Sequence, residues 1–433
     1  MENENLVLDS QDIVASDPVV AEGVQASNQG TAAPKKLYGF WVALSVVIGN
    51  TIGSGVFFKN ETIAAAVGGN LWSGVLAWLM GGLITLVIAY IFSSIATKTP
   101  DVKGGTVGYA EKFVGKRYSK VLNWWLAFFQ YPGYALVLAW VAADYSFQLV
   151  GVESKLWNTL WLTGIYVTLV FLINYLSPKI AGKFAISTVA IKLVPIVLMA
   201  VVGLILGLTR GTTAQNMSSG SQMVRPGNPF FIALIATMFA FDGTLDCLML
   251  SGKIKDSKKN LPKAIMIGVV VIVIAYISYY VGIFGAAKTE DLADGGTLVA
   301  FTNIFGNFAG SALLVFVIIS CLGLTNGMLM VDNEAIETTL PNLKKPQRDM
   351  IFVGTLLAWF AIWFVIGIAL DFGIDEYIPI IFQAFMIPII VCAVAKTKDL
   401  HWFKRFVVSS VAVLSILFLL TILIITTVAP NLI

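Results

Sequence analysis

The feature that most limits what this chain can become is a succession of apolar runs, each about 20 residues long, recurring from Leu37 almost to the C-terminus. A run of that length crosses a hydrocarbon layer roughly 30 Å thick. Lipid supplies no hydrogen bonds, so a helix, which satisfies its own backbone, is favoured there over an open sheet. The chain is 58% hydrophobic and 12% charged, too little charge to cover the outside of a water-soluble protein of 433 residues. The fold class expected is an all-α membrane protein. Eleven spans are predicted, roughly 37–58, 70–96, 121–150, 156–176, 182–208, 229–251, 262–287, 299–330, 350–370, 377–395 and 403–428.

Residues 1–36 precede the first span. They carry Glu2, Glu4, Asp9, Asp12, Asp17 and Glu22, with no basic residue before Lys35. A secretory signal would begin with positive charge and a short apolar run. Low hydropathy with charge of one sign predicts a disordered tail instead. Lys and Arg placed on alternate sides of the spans divide as 22 on the side of the tail and 5 on the other, with Lys192 alone inside a span, out of 28. That bias predicts a cytoplasmic N-terminus, and localisation in the cell membrane. The formal net charge of +3 then needs no nucleic-acid partner.

Several classes of chemistry are disfavoured. His401 is the only histidine, which argues against a histidine relay or metal site, and no cofactor is expected. Cys247, Cys321 and Cys392 lie in apolar runs without paired spacing. Neither a phosphate-binding glycine loop nor a G-x-S-x-G elbow is present.

Function is written into two interruptions. In the first span, Ile48-Gly49-Asn50-Thr51-Ile52-Gly53-Ser54-Gly55 places three glycines mid-membrane. Each costs a helix about 1 kcal/mol relative to alanine, so local unwinding is expected. Irregular backbone at that depth is tolerated only inside protein or along a polar cavity. A half-helix starting near Ser54 would offer N–H groups and a positive dipole end to a carboxylate, while carbonyls near Thr51 suit an ammonium. The alternative is that the glycines merely permit close helix packing. In the sixth span, Phe239-Ala240-Phe241-Asp242-Gly243-Thr244-Leu245-Asp246 sets two acids and a glycine in an apolar run. A mid-bilayer aspartate costs roughly 2.5–3.5 kcal/mol, so it faces a cavity or a partner. For Asp246 the alternative is a hydrogen bond to a neighbouring helix. Each break is followed by four more spans, and interrupted helices at matching positions of two halves point to the midplane site of an inverted-repeat transporter.

Lys192 lies deep in the fifth span and is read either as a functional group or as a lysine reaching for the membrane surface. Asp144 is placed near the end of the third span, within reach of the interface. Trp124, Trp125, Trp359 and Trp363 are read as anchors or packing, and Gly203 with Gly207 as a packing pair. Phe239 flanks the second break and could close over a bound solute.

These residues resemble the amino acid–polyamine–organocation superfamily, in particular bacterial amino acid permeases close to the L-type exchangers. The likeness is carried by Gly49-x-x-x-Gly53-Ser54-Gly55-Val56-Phe57, by the loop Lys103-Gly104-Gly105-Thr106-Val107-Gly108-Tyr109, and by Phe239-Ala240-Phe241-Asp242-Gly243. It continues through Lys255-Asp256-Ser257-Lys258-Lys259-Asn260-Leu261-Pro262-Lys263-Ala264, similar to the family's Asn-Pro-x-x-Asn-x-Pro-x-Ala, with Ser257 in place of a proline. The resemblance implies a LeuT-type five-plus-five inverted repeat over 37–208 and 229–396, discontinuous helices 1 and 6, and an extra helix at 403–428. It implies that N–H groups around Gly53, Ser54 and Gly55 hold a substrate carboxylate. Carbonyls near Thr51 and at Phe239, Ala240 and Asp242 would hold an amine, and Phe239 would gate. Lys192 would take the place of a sodium ion, making transport sodium-independent, by proton coupling or exchange. Relatives have twelve spans and an arginine where Met330-Val331-Asp332-Asn333-Glu334 carries acids. The expected partners are an amino acid or related amine, protons, lipid and a second copy of the chain. The leading expectation is a secondary transporter of 37–428 working by alternating access; the alternative is a non-transporting amino-acid sensor or partner subunit on the same scaffold.

Overall fold

The structure is a computed structural model that describes residues 37–99, 102, 104–218, 229–362, 365, 385–393 and 395. The acidic tail, the end of the ninth predicted span with Trp363, the first part of the tenth and all of the eleventh lie outside the described residues.

The first span is two helices, α1 (Phe40–Thr51) and α2 (Ser54–Ala66), and α3 (Leu71–Lys98) is the second span. A short α4 (Gly105–Phe113) follows, then the third span as α5 (Lys116–Trp125), a π-turn (Leu126–Gln130) and α6 (Tyr131–Leu149). The fourth span is α7 (Leu156–Leu176) and the fifth is α8 (Pro178–Leu198), a π-turn (Met199–Gly203) and α9 (Leu204–Arg210). After α10 (Thr212–Ser218), the sixth span is α11 (Pro229–Ala240), a turn, and a 3₁₀ segment (Asp246–Gly252). The rest comprises α12 (Ser257–Ala286), α13 (Thr289–Phe305), α14 (Asn307–Thr339) and α15 (Lys345–Ile362). Six uninterrupted stretches among the described residues are long and apolar enough to cross a membrane, while the halves of the first and sixth spans are each too short to be counted.

Local chemistry explains where these helices begin. The Asn70 side chain accepts from Ser73 N at 3.0 Å and caps α3. Ser177 caps α8, whose first residue is Pro178, so the fifth span starts four residues before the apolar run beginning at Gly182. Each π-turn lies close to a proline, Pro132 or Pro195, whose missing N–H relaxes the helical ladder.

The eighth span corrects the expected 299–330. The apolar run continues across Gly306, so hydropathy merges two helices, but Gly306 adopts φ 80° and ends α13 there. At the other end α14 runs nine residues past Met330, because Asp332, Ala335 and Ile336 are buried against protein and the helix keeps its partners. The acids expected at a loop-like exit are therefore helical.

Gly203 and Gly207 behave as a packing pair. A Cβ on Gly203 would collide with the Gly282 carbonyl, and one on Gly207 with Gly285, so the fifth and seventh spans meet backbone to backbone. Gly203→Val is expected to destabilise the folded protein by about 2–4 kcal/mol, seen as a lower melting temperature in detergent. Unchanged melting would show that the two backbones separate without cost.

Candidate functional site

Helix 1 unwinds at Ile52 and Gly53, with α1 ending at Thr51 and α2 starting at Ser54. No side chain caps the start of α2, so its first N–H groups point from an uncapped helix end. The carbonyls at the end of α1 are gathered by side chains from three other spans. Lys192 is fully buried and donates through Nζ to Gly49 O at 2.9 Å and Ile52 O at 2.5 Å. Ser320 Oγ donates to Ile52 O at 3.3 Å, and Tyr276 Oη to Thr51 O at 3.0 Å. Lys192 therefore does not reach for the membrane surface. The Thr51 hydroxyl turns back to Val47 O at 2.7 Å, leaving Thr51 to present its carbonyl.

The sixth span leaves helical geometry at Phe241–Leu245. Gly243 makes this possible, because its φ of +87° is open only to glycine at little cost and a Cβ there would collide with the Asn50 carbonyl. Asp242 accepts from Tyr134 Oη at 3.0 Å. Asp246 accepts from Asn50 Nδ2 at 3.0 Å, which is the helix-to-helix bond considered as the alternative for that residue.

The two breaks face each other. An added Cβ on Gly55 would lie 3.6 Å from Phe239 Cε1 and 3.7 Å from Ala240 Cα, so α2 and α11 meet at van der Waals distance. Tyr276 Oη lies 3.0 Å from both Thr51 O and Ala240 O, at the ends of α1 and α11. One hydroxyl proton cannot satisfy two carbonyls fully, so this pair retains acceptor capacity. An aromatic cluster holds the tyrosine, with ring centroids 5.0 Å apart for Trp78–Tyr276 and 5.2 Å for Phe241–Tyr276. Phe239 is half-buried beside the break, and Lys59 Nζ lies 4.7 Å from its ring centroid. Gly49, Thr51, Gly53, Ser54, Gly55, Phe239, Ala240, Asp242 and Lys192 thus fall in one region. Asp144 is not part of it and bonds with Gln148 on an exposed surface.

One end of the bundle is tied shut. Lys253 O accepts from Leu37 N at 2.8 Å and Tyr38 N at 3.0 Å, while Lys255 N donates to Tyr38 O at 2.8 Å. The Lys253 ammonium pairs with Glu334 and, at 3.3 Å, with Glu337, which pairs in turn with Arg348 at 3.3 Å. Burial pulls Lys253 down, but Glu334 and Glu337 outweigh it and the ammonium ends above its ordinary range. Its charge is therefore complete below the ordinary lysine value near 10.4 and is lost only at higher pH, so this cation does not titrate across the physiological range. Glu334, in the acidic stretch that departs from the family pattern, and Glu337, one turn further on, hold this latch.

Sequence reasoning passed over Tyr276, Ser320, Tyr134 and Lys253. A tyrosine in an apolar run carries no periodic or motif signal, and its role arises only when the seventh span lies across both breaks. Tyr276→Phe is expected to cost about 1–3 kcal/mol through the unsatisfied carbonyls, read as a lower melting temperature in detergent. Melting identical to wild type would mean that water replaces the hydroxyl without loss.

Comparison with known proteins places this geometry. The amino acid permease family model matches residues 42–336. A serine/threonine exchanger, SteT of Bacillus subtilis, is 30% identical over 299 residues, 68% of this chain and 66% of that protein. An arginine/ornithine antiporter assigned to the same organism is 25% identical, covering 69% and 68% of the two chains. The human cystine/glutamate transporter is 23% identical, covering 66% of this chain and 57% of its own length. The chain thus spans about two thirds or less of the length of most of these relatives. Its fold is that of MhsT, solved with L-phenylalanine, at a TM-score of 0.62 and 15% identity over 89% of this chain and 99% of that one. This chain belongs to the amino acid permease family and is a multi-pass membrane protein.

Proposed function

We propose that the protein is a sodium-independent secondary transporter of an amino acid or closely related amine, moving its substrate across the cell membrane by alternating access. The observation that carries this is the pair of helix breaks apposed at Gly55, Phe239 and Ala240, with the carbonyls of Thr51 and Ala240 sharing one tyrosine hydroxyl. An α-amino acid presents a carboxylate and an ammonium a bond apart, and the two breaks present complementary groups. The N–H groups of Gly53, Ser54 and Gly55 take the carboxylate. Acceptor capacity at Thr51, Phe239, Ala240 and Asp242 takes the ammonium, and Phe239 closes over both.

Lys192 Nζ occupies the carbonyls of the first break, which supports independence from sodium. The full arrangement is eleven spans in two inverted repeats, 37–208 and 229–396, with the N-terminus cytoplasmic. The latch at Lys253 and Glu334 would then close the cytoplasmic end. Similarity to a serine/threonine exchanger favours small hydroxylated amino acids as first substrates, by exchange or with a proton. The acids at the exit of the eighth span are one reason to consider a non-transporting sensor. Pairing of Glu334 with Lys253 supports a gating role for one of those acids.

Uptake into proteoliposomes tests the proposal. Labelled L-serine or L-threonine is expected to enter saturably, and equally in sodium or choline buffer. Gly55→Leu is expected to lower substrate affinity by at least about tenfold, some 1.4 kcal/mol, with membrane insertion preserved, because the larger side chain fills the approach to the carboxylate site. Binding without flux for every one of the twenty amino acids would convert the assignment to a sensor, and unaffected uptake in Gly55→Leu would remove the carboxylate site from this break.

A further inference from the structure

Asp332 is a charge-bearing side chain that neither the break nor the latch uses. It is fully buried in α14, and neither carboxylate oxygen has a hydrogen-bond partner. Its level in the bundle follows from its helix. Leu324 lies against Gly53, with Leu324 Cδ1 2.7 Å from where a Cβ on that glycine would sit, at the first break. Eight residues further on, Asp332 is about 12 Å along the axis toward the latch. Glu334, which grips Lys253, is two residues beyond it. Asp332 therefore sits between the candidate substrate region and the closed end.

The groups around it offer no counter-charge. Tyr131 of the third span is buried, and its hydroxyl carries no charge at neutral pH. Asp246, from the sixth span, bonds Asn50 through one oxygen and leaves the other unpartnered, while Asp242 bonds Tyr134. The lysines of the break and the latch are committed elsewhere, Lys192 of the fifth span to two carbonyls and Lys253 to Glu334 and Glu337. Among the described residues no three acidic, histidine or cysteine side chains converge as ligands for a metal ion. An isolated carboxylate in such surroundings carries a desolvation penalty of several kcal/mol, and a proton removes it.

We propose that Asp332 carries a transported proton, held as the neutral acid while the latch is closed and released as carboxylate plus proton when the latch parts and water reaches the end of α14. Proton loss from Asp332 is then tied to the same opening that frees substrate. This rests on the transport function proposed above and names its coupling residue as one additional to Lys192.

The experiment uses the full chain in proteoliposomes with radiolabelled L-serine, or whichever of the twenty amino acids the wild type carries fastest. A gradient of one pH unit, alkaline inside, is expected to drive accumulation up to about tenfold in the wild type, since one proton per substrate contributes 1.36 kcal/mol. Internal pH dye is expected to report acidification in step with uptake. Asp332→Asn, a neutral isostere of the protonated acid, is expected to keep exchange of internal for external substrate while accumulation falls to about onefold and acidification disappears. Proton movement that persists in Asp332→Asn overturns the proposal. Wild-type uptake without any acidification overturns it equally, and requires no variant to fold. Both of these leave transport standing, whereas absence of any wild-type flux defeats transport itself.

Discussion

Broken helices inside an apolar medium expose carbonyls that nothing in the medium can satisfy, and the rest of this structure is organised around those groups. Gly49 O and Ile52 O are held by the Lys192 ammonium, and Thr51 O and Ala240 O by the Tyr276 hydroxyl. Each unpartnered buried polar group would cost on the order of 1–3 kcal/mol. The fifth and seventh spans are thus required to lie beside the breaks, with Lys192 and Tyr276 turned inward. Those same two spans pack on each other through Gly203, Gly207, Gly282 and Gly285, and the lysine and the tyrosine both reach the carbonyls at the end of α1.

The hydrogen-bond supply is deliberately uneven. Lys192 has three donors and meets two carbonyls, whereas Tyr276 has one donor for two carbonyls. Residual acceptor capacity gathers where α1 and α11 end, and uncapped donors gather where α2 begins. A zwitterion complements both at once. Closure at the far end is electrostatic and backbone-mediated, joining Tyr38, Lys253, Glu334, Glu337 and Arg348. A device that opens and shuts is better built from exchangeable contacts than from an apolar seal.

Much of this was legible in the residues. The order of spans, the position of the first break at Ile52–Gly53 and the packing role of Gly203 and Gly207 all follow from hydropathy and glycine placement, because these are local properties of the backbone and its solvent. The break at Asp242–Gly243 was legible for the same reason. The boundary at Gly306 was not, because the apolar run on either side of it is continuous and only the backbone conformation of one residue separates α13 from α14. Nor was the helical state of Asp332 and Glu334, since two acids after an apolar run look like the start of a loop until protein is found packed around them.

By itself, then, the chain determined its class and the places where helices must fail, since a hydrocarbon environment and the cost of glycine act on each segment separately. The tertiary structure alone decided which groups answer the failures. Whether Lys192 reaches for the membrane surface or grips the first break depends on which helix lies beside it. Tyr276 becomes a bridge, Glu334 a latch and Asp332 an isolated acid only when segments distant in sequence set the dielectric and the partners around each side chain.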